Sequence, residues 1–166
     1  MRLYGYRIGL LLAVSSLIAG LYIHFKIPPD ILFDKVKLYG KENKLVTLNS
    51  NQKMRLVAFW QTWCRDCHQN MPAISNYFSK YTNVELIAIS NEPFEKQELH
   101  EDNLGSWLFL RIISTTERPI QELQDLGVNS FPMYFLLDPA GKTVWSHAGS
   151  IKPDEIRHLI NKNSPH

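Results

Sequence analysis

The chain has 166 residues, of which 45% are hydrophobic and 20% charged, and carries a formal net charge of +2. Those proportions fit a globular domain with a sizeable core, exclude a disordered or fibrous chain, and give no reason to expect a nucleic-acid partner. Its two cysteines lie three positions apart, which excludes a scaffold stapled by several disulfides and a four-cysteine zinc site.

The first expected element runs from Ile8 to Phe25, "IGLLLAVSSLIAGLYIHF", without a single Asp, Glu, Lys or Arg. As a helix rising about 1.5 Å per residue, it would reach roughly 27 Å, close to the thickness of a hydrocarbon core. Tyr4 and Tyr22 flank it, and Arg2 and Arg7 precede it. That positive bias holds the N-terminus in the cytoplasm and exports the rest of the chain. "SLIAGL" is a poor A-x-A-like cleavage site. Residues 1–26 are therefore expected to form an uncleaved signal-anchor with one transmembrane helix. Residues 27–166 are then the working domain, placed by a single pass on the periplasmic or extracytoplasmic side of the inner (cytoplasmic) membrane. There disulfides persist.

"IPPDI" (Ile27–Ile31) is a stiff exit, since proline cannot continue a helix. Short apolar stretches around "YGKEN", between Leu32 and Leu48, predict a β-hairpin. "RLVAFW" (Arg55–Trp60) is, after its arginine, a continuous apolar run of the kind found in a strand buried on both faces. Next, Cys67, Met71, Ile74, Phe78 and Tyr81 recur at intervals of 4, 3, 4 and 3, which is a helix face, with Pro72 interrupting it. "VELIAIS" (Val84–Ser90) reads as a second buried strand. "EPFEKQELHEDNLGSW" reads as partly helical with Gly105 near its end, "LFLRIIS" as a strand, and "RPIQELQDLGV" as a short helix closed by Gly127. "MYFLLD" and "TVWSHA" are joined by the Pro/Gly turn "PAGK" into a hairpin, and "KPDEIRHLINK" is a terminal helix. Strand–helix alternation with a closing hairpin implies a three-layer α/β/α domain around a mixed sheet.

The stretch "FWQTWCRDCHQNMP" (Phe59–Pro72) contains Cys64-Arg65-Asp66-Cys67-His68, a C-x-x-C-H string with more than one chemical meaning. It can attach a c-type haem covalently, with Met133 far enough downstream to be a second axial ligand. Small haem proteins of that kind are mostly helical, however, and Met133 opens a strand that reads as core. The string can instead be a dithiol. Cys64 at the first turn of a helix gains unpaired N–H groups and the positive end of the dipole, which favour its thiolate. Cys67, one turn on, can close a disulfide.

With the strand, the aromatic turn and the dithiol in that order, the sequence resembles the thioredoxin-like proteins, specifically membrane-anchored thiol–disulfide oxidoreductases of the TlpA/ResA type. "PDILFDKVKLYGKENKLVTL" is similar to the extra N-terminal hairpin of that family, "LVAFWQTWCRDC" to its active-site segment, and "LGVNSFPMYFLLDPAGKTV" to its cis-proline segment; Pro72 matches its helix proline. The resemblance implies that Cys64 is the exposed attacking thiol and Cys67 the shielded resolving thiol. It implies that Pro132 is cis and faces them, that Trp63 and Phe131 meet the substrate, and that no cofactor or metal is needed beyond the redox-active pair. Implied partners are protein thiols or disulfides and a membrane electron donor of the thiol–disulfide interchange type. The direction implied is reduction, as in cytochrome c or copper-site assembly.

Two positions depart from the family. Ala58 stands where many relatives have an acidic or polar group six before the first cysteine. Asn70 stands where ResA-type reductases often have a glutamate three after the second. Asp66, His68 and Glu92 are the remaining proton-handling candidates, each expected on an exposed rim in water. Three alternatives stay open from the residues: a periplasmic thiol oxidant, a c-type haem protein using Cys-x-x-Cys-His, and a metal carrier using both cysteines with His68.

Overall fold

A computed structural model describes Phe33 and residues 36–48, 53–114 and 119–164. The expected anchor at Ile8–Phe25 and the exit at Ile27–Ile31 lie outside the described residues. Among the described residues no helix is long and apolar enough to cross a membrane.

The apolar run that follows Arg55 falls in β3 (Met54–Phe59), and all six residues of the strand, Arg55 included, are buried. Side chains alternate across a strand, so Met54, Leu56 and Ala58 enter one core layer while Val57 and Phe59 enter the other. A strand buried on both faces has to lie inside the sheet, and β3 does. It pairs in parallel with β4 (Val84–Ser90) and antiparallel with β6 (Met133–Leu137). Beyond β4 comes β5 (Leu108–Ile112), and beyond β6 comes β7 (Thr143–Ala148). The expected hairpin is present as β1 (Leu38–Tyr39) and β2 (Leu45–Val46), joined through a 3-10 turn at Lys41–Asn43. It adds to the outer side of β5, giving the seven-strand order β2-β1-β5-β4-β3-β6-β7. The hairpin thus lies at the opposite edge of the sheet from β7.

Helix α1 (Arg65–Phe78) buries Cys67, Met71, Ile74 and Phe78, the face that the spacing predicts; Tyr81 falls beyond its end. Pro72 sits inside α1. Helix α2 (Phe94–Leu104) is short of apolar residues and is closed by Gly105 at φ +89°. A β-carbon at Gly105 would collide with the Ser75 side chain, so this turn brings α2 close to α1 in a way only glycine permits. Helix α3 (Pro119–Asp125) sends Leu123 into the layer of Val57 and Phe59. Helix α4 (Pro153–Asn163) sends Ile156 and Ile160 into the layer that holds α1. Because β3, β4 and β5 advance in one direction, right-handed crossovers place α1 and α2 together on one face. The result is the expected three-layer α/β/α arrangement with a mixed sheet.

Two buried groups show how the sheet is closed away from the site. Arg55 is almost wholly enclosed, donates from Nη1 to the Leu48 carbonyl at 3.0 Å and lies 3.7 Å from the Glu85 carboxylate. A guanidinium taken from water requires such partners, since breaking a buried pair costs about 3–5 kcal/mol. In the other layer Phe33, Phe59 and Phe135 pack with ring centroids 5.7–6.3 Å apart, which ties the segment before the hairpin to the core.

Candidate active site

The carboxyl end of β3, the start of β6 and the end of β7 lie side by side at one end of the strands, because Phe59 pairs with Met133 and Met133 with Ala148. Each of these strand ends delivers one part of the site. After β3 the chain turns through Gln61, Thr62 and Trp63 and enters α1 with Cys64 as its N-cap. The Cys64 N–H donates to the Gln61 carbonyl at 3.0 Å, and the Cys67 N–H donates to the Cys64 sulfur at 3.1 Å. Cys64 and Cys67 form a disulfide, with their Cα atoms 5.3 Å apart. On reduction, the same N–H and the positive end of a fourteen-residue helix favour a thiolate at Cys64. Cys67 lies inside the helix, in the same core cluster as Met71.

Before β6, the Phe131–Pro132 bond is cis, as the resemblance implies. Phe131 is half-buried and packs edge-to-face on Trp63, with ring centroids 5.6 Å apart and planes at 85°. Trp63 itself is 65% exposed. An exposed indole, next to Cys64 in the chain, and a half-buried phenyl therefore stand together at the disulfide. After β7, the Gly149 N–H donates to the Pro132 carbonyl at 2.8 Å, which ties the third loop to the cis-proline.

Cys64 is not exposed as expected: it is 4% accessible, hardly more than Cys67 at 0%. The sulfur is joined to its partner and sits within the same apolar cluster as Trp60 and Cys67, against which Phe131 packs. The two thiols therefore differ by their place on the helix rather than by exposure.

The rim reading also fails for two of the three proton-handling candidates. Glu92 is half-buried and both of its oxygens are engaged. Thr62 N–H donates to Oε2 at 2.6 Å and the Thr62 hydroxyl to Oε1 at 2.9 Å. Its carboxylate thus fixes the turn two residues before Cys64, and hydrogen bonds to a charged acceptor are among the stronger kind. His68 does not point to water. Its Nε2 donates to the Thr62 carbonyl at 2.8 Å, and its ring lies against Trp60 and 4.9 Å from the ring of His100. Glu92 and His68 therefore both anchor Thr62. Only Asp66 is exposed as expected.

The two departures from the family pattern come together in space. Ala58 pairs directly with Tyr134 across β3 and β6, so its small side chain lies beside the tyrosine. The Tyr134 hydroxyl donates at 2.9 Å to Oδ1 of Asn70. Burial raises the Tyr134 phenol well above its ordinary value, so this hydroxyl keeps its proton and acts as a donor. Asn70 also binds both backbone groups of Ile151, taking its N–H at 3.0 Å and donating to its carbonyl at 2.8 Å. Sequence reasoning marks Asn70 only as a missing acid and does not find Thr62, Tyr134 or Ile151. No residue spacing links those positions.

Among the described residues, no group of three or more His, Cys, Asp and Glu side chains converges to hold a metal ion. His68, the third ligand that a metal carrier would use, already has its Nε2 on Thr62.

A helix-capping dithiol and a cis-proline brought to the same end of a central sheet are the working arrangement of a protein-disulfide oxidoreductase. The chain belongs to the thioredoxin-like family, whose sequence profile matches residues 51–143. It is similar to the thiol–disulfide oxidoreductase ResA of Geobacillus thermodenitrificans, with 26% identity over 82% of this chain and 76% of the relative. It is also similar to ResA of Bacillus thuringiensis strain Al Hakam, with 25% identity over 96% of both chains. In three dimensions it resembles a thioredoxin-related protein from Neisseria meningitidis serogroup B, with TM-score 0.62 and 21% identity over 76% of this chain and 98% of the other. The first two comparisons support a ResA-like activity carried by Cys64 and Cys67; the third shows the fold.

Proposed function

We propose that this protein is a membrane-tethered disulfide reductase that acts on extracytoplasmic protein thiols. The observation that carries this reading is the Cys64–Cys67 pair at the α1 N-terminus, beside Phe131 and the cis Pro132. In the reaction, Cys64 thiolate attacks one sulfur of a substrate disulfide. The other substrate sulfur leaves as a thiolate, and a mixed disulfide forms. Cys67 thiolate then attacks the Cys64 sulfur, which releases the second substrate thiolate and regenerates the Cys64–Cys67 disulfide. Two electrons pass to the substrate, and a membrane thiol–disulfide donor returns them. The backbone of Phe131 pairs with the substrate strand, as extended peptides pair with exposed strand ends. From the resemblance to TlpA/ResA-type proteins, the substrate class proposed is apocytochrome cysteines, or cysteines of copper-site assembly, in their disulfide form.

Tethering and side of the membrane rest on the apolar run at Ile8–Phe25 and on Arg2 and Arg7 before it. Expressed as the full chain in a bacterium, the protein should sediment with membranes at its full 19.3 kDa. After mild reduction of intact spheroplasts, Cys64 should react with a membrane-impermeant maleimide. A soluble product that begins near Leu21 would show a cleaved signal peptide instead. Labelling that appears only after lysis would place the domain in the cytoplasm.

A further inference from the structure

A second polar junction at the site, centred on Asn70, contains no carboxylic acid. Asn70 lies on α1 one helical turn beyond Cys67, and a primary amide offers two N–H donors and an oxygen with two lone pairs. Here Oδ1 receives the Ile151 N–H and the Tyr134 hydroxyl, and Nδ2 donates to the Ile151 carbonyl. An amide is the side chain that can face both backbone groups of one residue in this way. A glutamate or aspartate, ionised, could accept from Ile151 and Tyr134 but would set a negative oxygen against the Ile151 carbonyl.

Ile151 ends the loop that leaves β7. The other end of that loop, Gly149, donates its N–H to the Pro132 carbonyl at 2.8 Å. Gly149 is at φ +90°, a left-handed conformation that suits glycine. Between the two ties, the Ser150 carbonyl accepts a hydrogen bond from Nε2 of His147 at 3.2 Å. The segment Gly149–Ile151 is thus pinned at one end to the cis-proline strand and at the other to the helix that carries both cysteines. Tyr134, two residues after Pro132, joins the same junction, so the cis-proline strand and the helix are also linked directly.

We propose that Asn70 is a positioning residue for protein substrates: it sets the Gly149–Ile151 loop, Pro132 and the Cys64 turn at fixed mutual positions, so that one extended substrate segment meets all three. This rests on the proposed protein-substrate reading of the site. It assigns Asn70 no part in proton transfer. A small disulfide needs only the Cys64 sulfur, whereas a protein disulfide needs the pre-arranged surface around it, because ordering loose loops on binding weakens affinity.

The test compares the full chain with Asn70→Ala and Asn70→Asp, each reduced with dithiothreitol and assayed on insulin and on a small aromatic disulfide. The expected result for Asn70→Ala is a KM for insulin raised about tenfold with little change in kcat, since each neutral hydrogen bond lost shifts an equilibrium by roughly two- to tenfold. Its rate with the small disulfide should stay within about twofold, as should its equilibrium with glutathione. Asn70→Asp retains the acceptors and loses the donor, so its KM for insulin should rise too. This variant decides the matter if the alanine chain does not fold. An unchanged KM for insulin in the folded variants would overturn the proposal, and so would equal losses toward both disulfides. If the wild-type chain and Phe131→Ala were both active on the small disulfide but inert on insulin, the protein-substrate reading itself would fall, and this proposal with it.

Discussion

A Cys64→Ser chain is expected to lose disulfide reduction entirely, by about 10³-fold or more, because a hydroxyl at this helix N-terminus supplies no thiolate and removing a nucleophile removes the reaction route. Cys67→Ser is expected to lose turnover just as completely, for a different reason. Its Cys64 can still attack, but nothing remains to resolve the mixed disulfide. Material isolated from cells under acid quench should therefore carry covalently attached partner proteins in Cys67→Ser and few in Cys64→Ser, as non-reducing gels with and without dithiothreitol will show. The assignment depends on which sulfur caps the helix, since the two side chains hardly differ in exposure. Equal trapping by both variants would mean that the cap does not choose the attacking thiol.

Phe131→Ala is expected to have the next largest effect, and to move stability and reactivity in opposite directions. The ring touches both core layers yet remains half-buried, with exposed Trp63 on its edge. Deleting a fully buried phenylalanine costs about 3–5 kcal/mol. With only part of the ring buried, about 1–2 kcal/mol is expected, read as a shifted urea midpoint at unchanged slope. At the same time the space beside Cys64 widens, and insulin should be reduced several-fold faster. That increase would show that the ring restricts which chains reach the disulfide. A loss of about 3 kcal/mol or more, the fully buried range, with an unchanged preference among substrates would make Phe131 a core residue only.

The parts of this molecule that can be read in its sequence are those that repeat at short range. β3 is legible because the apolar run after Arg55 reads as a strand buried on two faces. α1 is legible because Cys67, Met71, Ile74 and Phe78 follow helical spacing. The cis Phe131–Pro132 bond follows from family resemblance rather than from any local pattern. The contacts that finish the site are hidden for a common physical reason: each joins residues far apart in the chain. Thr62 and Glu92 are separated by 30 positions, Asn70 and Tyr134 by 64, and Asn70 and Ile151 by 81. A polar residue considered alone has only water as a partner, so His68 and Glu92 read as rim. Folding instead supplies the backbone and hydroxyl of Thr62, which neither periodicity nor composition indicates. Asn70 illustrates the same limit from the other side. Compared with relatives, it reads as a missing acid, whereas in three dimensions its amide bonds Ile151 and Tyr134 together.

The central claim is that the Cys64–Cys67 pair donates electrons to protein disulfides, and its equilibrium potential tests that claim most directly. Equilibrating the protein with graded ratios of reduced to oxidised dithiothreitol, then alkylating the free thiols, gives the fraction reduced at each poise. The account predicts a midpoint near that of thioredoxin, about −270 mV, where the pair readily gives up two electrons. A midpoint near about −120 mV, the range of a strong thiol oxidant, would contradict it and reverse the direction of both exchange steps.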